Sequence, residues 1–335
     1  MSASRPAAAA GSEIAAVLAA AGPELGHQLD RTEERLSQVA GSHGATLARH
    51  ASGTLAAGGK RLRPILVFLC GHVGSRAGER LVAAAAAVEL LHMATLVHDD
   101  VLDRAALRRG RPTVVAEGGR AAATATGDLL FSRAFAELSS TGSAEAVRAL
   151  STASSALVRG ELMQRADAWS REVTPERYLE RCELKTASLF EAACRLGALF
   201  SGDPAPADVL GRFGARIGLA FQILDDVLDV EGPTERTGKP RGADLLDGTV
   251  TLPLILARGR DPDLGAVELR RTATDPGRSE SLCERIAATG ALEDAREQAL
   301  AYVSEAKSSL DALGLPERRR RPLDLVADAV VERYA

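Results

Sequence analysis

The sequence predicts an all-α fold built as one large helical domain. Three observations carry that expectation. Stretches rich in Ala, Leu, Glu and Arg recur along all 335 residues, and no series of alternating Val, Ile, Thr and Tyr announces a sheet. Gly, Pro and Asp punctuate the chain into segments of roughly 15 to 30 residues, with no Pro/Ser-rich linker between them. Hydrophobic residues make up 46% of the chain, enough for a sizeable core, and only 3% are aromatic. Ala, Leu and Val must therefore supply most of that core.

Taken in order, residues 1–22 read as a flexible Ala-rich arm and 23–335 as the folded domain. The arm superficially suggests a signal peptide, but Glu13 interrupts its apolar part and Arg5 is its only basic side chain. Helix breaks fall at 41–44, 58–59, 71–78, 110–112, 202–206, 232–242, 261–265 and 275–277. Pro64, just before ILVFLC, suits the first turn of a helix. The uninterrupted apolar run Val82 to Val88 falls far short of the roughly 18 residues a spanning helix needs, so no transmembrane segment is expected. The run Arg318 to Arg321 reads as a solvated patch before the last helix.

Composition also excludes function classes. Lys plus Arg total 41 against 45 acidic residues, a net charge of −4, so no global positive field favours nucleic acid. The four cysteines (Cys70, Cys182, Cys194, Cys283) form no CxxC pair. A disulfide scaffold or zinc ribbon is not expected, and a reducing cytoplasm is the default location.

One pentapeptide occurs twice. Asp99-Asp100-Val-Leu-Asp103 and Asp225-Asp226-Val-Leu-Asp229 are identical and lie 126 residues apart. On a helix the i and i+4 positions share a face, so Asp99 projects with Asp103 and Asp225 with Asp229. Each copy ends an apolar helical pattern, ELLHMATLV or GLAFQIL. A solvated acidic helix end is the bland reading of one such copy. Two copies on apolar helices are harder to explain that way, because like charges repel within a turn and a helix C-terminus disfavours acids. A cation removes both penalties. Oxygen ligands without His or Cys select Mg²⁺, Mn²⁺ or Ca²⁺. An EF-hand is excluded, since its twelfth position would be Gly110 or Arg236 rather than Glu. Mg²⁺ usually completes its shell with phosphate oxygens, which suggests a polyphosphate held between the two patches.

Cations cluster in nearby loops. Gly58-Gly59-Lys60-Arg61-Leu62-Arg63-Pro64 sets two glycines and three cations before a helix start, a favourable place for an anion, although not with P-loop spacing. Arg108, Arg109 and Arg111 follow the first acidic patch, Lys185-Thr186 lies between the patches, and Lys239 follows the second. Singly, each would be an ordinary surface cation. His92 precedes Asp99 by two helical turns, about 10 Å along the same face.

Together these residues resemble the trans-isoprenyl diphosphate synthase (polyprenyl synthetase) family. The resemblance runs from GGKRLRP through ELLHMATLVHDDVLDRAALRRGRPT, GDLLF, GELMQ and ELKTASLF to FQILDDVLDVEG and TGKPRGADLLDGTVTLPLI, about residues 50–260. It implies the isoprenoid synthase fold, a single large helical bundle around a central cavity, and a homodimer. It implies three Mg²⁺ per active site, with Mn²⁺ as a substitute, held on an allylic diphosphate by Asp99, Asp100, Asp103, Asp225, Asp226 and Asp229. By position, Lys60, Arg63, His92 and Arg109 match the isopentenyl diphosphate site, with Gly59 shaping its loop. Arg108, Lys185, Thr186, Gln222 and Lys239 match the allylic diphosphate site.

The implied activity is prenyl transfer: the allylic C–O bond ionises and the double bond of isopentenyl diphosphate attacks the cation. In this family bulky residues four and five positions before the first Asp stop the growing chain. Here Thr95 and Ala94 are small, and the next turn back offers Leu91, so a product of C20 or longer is expected. Product release would bring the enzyme to a membrane periphery. The nearest rival is a class I terpene cyclase, which typically carries an NSE-type second motif and many cavity aromatics. This chain has a second DDVLD and 11 aromatics. A regulatory subunit of a heteromeric synthase would show eroded motifs, whereas every motif here is intact.

Overall fold

A computed structural model describes residues 12–56, 58–71, 78–232, 241–272 and 276–332. In order, the helices are α1 (Ser12–Ala21), α2 (Pro23–Gly41), α3 (Ala45–Ala56), α4 (Leu62–Cys70), α5 (Gly78–Leu102), α6 (Val114–Ser139), α7 (Ala144–Asp167), α8 (Pro175–Cys182), α9 (Ser188–Leu199) and α10 (Ala207–Glu231). Then follow α11 (Ala243–Leu246), α12 (Leu252–Arg260), α13 (Pro262–Ala266), α14 (Leu269–Thr272), α15 (Pro276–Ala288), α16 (Ala291–Ser309) and α17 (Glu317–Glu332). A π-helical turn, Glu183–Ala187, joins α8 to α9.

Two helices organise the bundle. In α5, Leu81 to Leu91 is buried without interruption, Glu89 included. Its alanine run costs little side-chain entropy and leaves no bulk between backbones, so α6 packs along it closely. By length and hydropathy α5 could cross a membrane, but 78% of its most apolar window is buried inside the protein, the condition of a core helix. The second organiser, α10, lies between α9 and α16. Gly214 and Gly218 permit this: a Cβ on them would sit 2.5 Å from the Phe190 carbonyl oxygen and 2.6 Å from Ala187 Cα. Both organisers end in an acidic pentapeptide.

Four sequence expectations change here. Within the expected arm, Ser12–Ala21 is helix α1, whose Ile14 and Val17 are buried against the body, with α17 as a major partner. Residues 1–11 lie outside the described residues. The one hairpin among the described residues, β1 (Leu107–Arg108) with β2 (Arg111–Pro112), turns on Arg109 (φ 52°) and Gly110 (φ 72°). Two successive positive φ angles are what a tight two-residue hairpin demands. Inside α6, Gly119 (φ 75°) kinks the helix at a break not anticipated from sequence. Finally, Arg318 to Arg321 lies within the opening turns of α17 rather than before it. There Arg320 donates to Asp324, Asp311 and the Lys307 carbonyl, which ties down the preceding turn.

Candidate active site

At the end of α5 the first acidic motif divides by face. Asp100 is 4% exposed and accepts from Arg108 at 2.8 Å. Asp99 is half-buried, and Asp103 accepts from Arg165 of α7. Desolvation pushes the Asp99 carboxyl up to about 6. Lys185 and Arg108 oppose that shift, and Glu161 and Asp103 reinforce it.

The second motif divides in the same way. Asp226 is 3% exposed, and its two oxygens accept from Tyr178 Oη at 2.7 Å and Gln222 Nε2 at 2.8 Å. Desolvation pushes it up to about 8, helped by the charge of Asp244 and opposed by those two donors. Asp225 and Asp229 are half-buried on the other face. Asp229 also braces the following segment: its Oδ2 accepts from Asp244 N at 3.2 Å, and its carbonyl from Gly242 N at 2.9 Å.

The π turn links the motifs. Wide π turns recur at functional sites because they re-aim side chains. Gly160 of α7 lets this one approach, since a Cβ there would meet Lys185 N at 2.5 Å. Lys185 Nζ donates to Glu161 and, at 3.2 Å, to Gln164, and it feels the charges of Asp99 and Asp103. The adjacent Thr186 donates to Gln222 Oε1 at 2.7 Å, and Gln222 in turn holds Asp226. Two motifs 126 residues apart therefore meet around Lys185-Thr186.

A cationic group forms beside them. Arg61, at φ 51°, is clamped between Glu33 of α2 and Glu89 of α5. Arg63 lies with its guanidinium carbon 4.4 Å from the centre of the Phe190 ring, and desolvation lowers its pKa to about 10. The guanidinium of Arg109 covers Gly59, where a Cβ would stand 3.1 Å from its Nη1. Lys60 pairs with Glu13 of α1 at 3.7 Å. His92 faces this group: desolvation, then Arg63, Arg109, Arg108 and Arg61, hold its pKa well below 6.5. The hairpin thus sends Arg108 to the acidic site and Arg109 to the basic one.

A pH dependence follows from His92. Its folded pKa lies below its unfolded value, so as pH falls through about 6.5 the unfolded chain takes up a proton that the folded chain refuses. Stability is therefore lost on acidification. Thermal melts at pH 7.5 and 5.5 should show a smaller acid loss in His92→Asn than in the parent; equal losses would contradict this.

The sequence-derived residues Gly59, Lys60, Arg63, His92, Arg108 and Arg109 sit in or beside the basic group, with Arg108 also on Asp100. Lys185, Thr186 and Gln222 lie between the acidic motifs. Lys239 lies outside the described residues. Of the chain-length positions, Leu91 and Ala94 are fully buried, while Thr95 is half-buried and donates to its own helix at the His92 carbonyl, 2.8 Å away. Sequence reading missed Glu33, Glu89, Glu161, Gln164, Arg165, Tyr178 and Asp244, and it set Arg61 among the anion-binding cations rather than between two carboxylates. The i, i+3, i+4 spacing of Glu161, Gln164 and Arg165 was the available signal, since it sets all three on one face of α7.

Among the described residues no three Asp, Glu, His or Cys side chains form a ready-made metal cluster. The donors that the two acidic motifs offer are carboxylates at two helix ends, with no nitrogen or sulfur among them. That set fits a hard divalent cation whose remaining ligands come from water and phosphate.

Paired acidic helix ends beside a cationic loop, in an all-α bundle, define a class of helical proteins suited to diphosphate ligands. Comparison with known proteins makes this specific. The polyprenyl synthetase family model matches residues 45–286. The heptaprenyl diphosphate synthase component 2 of Geobacillus stearothermophilus is 39% identical over 90% of this chain and 94% of its own. The geranylgeranyl diphosphate synthase of Methanosarcina mazei is 37% identical, covering 83% of this chain and 86% of its own. A solved polyprenyl synthase from Caulobacter crescentus CB15, complexed with calcium and isoprenyl diphosphate, superposes with a TM-score of 0.88 at 34% identity, covering 96% of this chain and 98% of that one. The chain belongs to the polyprenyl synthetase family.

Proposed function

We propose that the chain is a trans-polyprenyl diphosphate synthase, condensing isopentenyl diphosphate with an allylic diphosphate to give products of C20 or longer. The observation that carries this reading is the convergence of both acidic motifs on Lys185-Thr186, beside a separate cationic group. One anionic substrate needs a cation-bridged acidic site and the other a purely cationic one. Asp99, Asp103, Asp225 and Asp229 would hold Mg²⁺, while the buried Asp100 and Asp226 orient their surroundings. Bound Mg²⁺, for which Mn²⁺ would substitute, supplies positive charge to the diphosphate oxygens.

Lys185 and Arg108 stabilise negative charge on the departing diphosphate as the allylic C–O bond breaks and its electron pair leaves with oxygen. Lys60, Arg63, His92 and Arg109 hold isopentenyl diphosphate so that its double bond attacks the allylic carbon. A proton then passes to the released diphosphate. No nucleophilic side chain is needed. Thr95 is the half-buried position among those expected to limit product length. Thr95→Phe should therefore shorten the product, whereas Ala94→Phe overpacks a filled site and should lower the melting temperature. An unchanged product distribution in Thr95→Phe would contradict the floor.

The test is to incubate the purified chain with isopentenyl diphosphate, Mg²⁺ and, separately, dimethylallyl, geranyl, farnesyl or geranylgeranyl diphosphate. Dephosphorylated products are then sized by mass. A ladder ending at a prenyl alcohol of C20 or more is expected. Cyclic hydrocarbon formed without consuming isopentenyl diphosphate would overturn the reading. The reading includes a homodimer, which mass measurement in solution checks. One relative carries the name component 2, so turnover by this chain alone also decides whether a second subunit is required.

A further inference from the structure

Tyr178 stands outside every sequence motif discussed above and is the largest fully buried side chain among the described residues. It lies on α8, two turns before Lys185, and its hydroxyl donates to Asp226 Oδ2 at 2.7 Å. From there a continuous chain of hydrogen bonds runs to the π turn. Gln222 Nε2 donates to Asp226 Oδ1 at 2.8 Å, and Thr186 Oγ1 donates to Gln222 Oε1 at 2.7 Å. We infer that Tyr178 is a positioning residue for the allylic-diphosphate site, acting through Asp226 and Gln222 on Thr186. The inference rests on the function proposed above, and it assigns a role to a residue that touches neither substrate.

Asp226 has a short side chain with one torsion to its carboxylate plane, and two fixed donors on opposite oxygens lock that plane. Gln222 must turn its NH₂ towards the carboxylate to donate, which leaves only its carbonyl oxygen for Thr186. Thr186 lies in the π turn that continues α8, and its hydroxyl is held through Gln222. Three supports hold Tyr178 still. Its ring is fully enclosed, Arg181 stacks 5.2 Å from the ring centre, and Thr174 caps α8 by accepting from Arg177 N at 3.3 Å. A phenol is protonated at neutral pH, so Tyr178 is a donor to Asp226 there. Removing the hydroxyl frees one carboxylate oxygen in a site that is closed to water, and the chain loses its anchor.

The experiment compares the parent enzyme with Tyr178→Phe, Gln222→Ala and the double variant, with KM and kcat measured separately for each substrate. Phe keeps the ring volume, so the fold should survive. For Tyr178→Phe the expected result is about a tenfold loss in kcat/KM for the allylic diphosphate. The KM for isopentenyl diphosphate should stay within about twofold. Adding Tyr178→Phe to Gln222→Ala should cost nothing further, because both act along one chain. A merely structural role would lower the melting temperature and leave both KM values unchanged, and that result would overturn the inference. Additive losses in the double variant would overturn it too. If Tyr178→Phe fails to fold, Asp226→Asn reads the same chain, and an unchanged allylic KM there would overturn it. A parent enzyme that consumes no isopentenyl diphosphate would instead remove the functional reading itself, a distinct outcome.

Discussion

Asp99→Asn and Asp225→Asn should each lower kcat by about 10³-fold, equivalent to roughly 4 kcal/mol of transition-state stabilisation. Each change removes half of an i, i+4 carboxylate pair, while the buried neighbours Asp100 and Asp226 and their donors stay in place. Asp99→Asn should also leave stability intact or raise it. Asp99 is ionised against its surroundings, with burial and two like charges working to protonate it. A neutral amide of the same shape relieves that penalty. Loss of activity with an undiminished melting temperature is the signature of a residue kept for chemistry at the cost of stability. Steady-state kinetics and thermal melts on the two variants check this. Parent-like kcat in either, or a fall in the melting temperature of Asp99→Asn parallel to its fall in activity, would contradict it.

The second large effect is on the fold. Arg61→Leu should destabilise the protein by about 3–5 kcal/mol, because it strands Glu89, a carboxylate only 6% exposed, in the core. Arg61 also links α2 to α5 through Glu33 and keeps a left-handed backbone at the mouth of α4. Its loss should let the Gly58 to Arg63 loop relax, raising the KM for isopentenyl diphosphate more than that for the allylic substrate. Arg165→Leu provides the comparison, since this arginine also binds two acids yet is 37% exposed. Exposed pairs contribute far less. Denaturant midpoints for the two variants should differ clearly; similar midpoints would contradict the role given to Arg61.

These residues show where sequence reading stops. The repeated DDVLD, the helical spacing that pairs Asp99 with Asp103, and the cation-rich loops were legible because they are local patterns. Within each pentapeptide, spacing separates the middle aspartate from the i, i+4 pair. It does not say that the middle one is buried, because that depends on Arg108 eight residues on and on Tyr178 48 residues back. Arg61 and Arg63 look alike in GGKRLRP, and only the packing of α2 and α5 makes one an internal strut and the other part of the cationic face. The start of α1 reads as an Ala-rich arm because its apolar residues have no visible partner nearby; Ile14 and Val17 are covered by the folded body, and α17 lies some 300 residues away. The kink at Gly119 was illegible for a related reason: glycine occurs inside helices as well as at their ends, and only the observed φ decides.

The most direct test of the central account is a crystal structure with Mn²⁺ and an unreactive thio analogue of an allylic diphosphate, with the metal located by anomalous scattering. The account predicts metal peaks between the Asp99/Asp103 face and the Asp225/Asp229 face. The diphosphate should bridge them within reach of Lys185, while Asp100 and Asp226 keep their present donors. Metal and diphosphate bound elsewhere, or bound at one motif with the other left untouched, would contradict it.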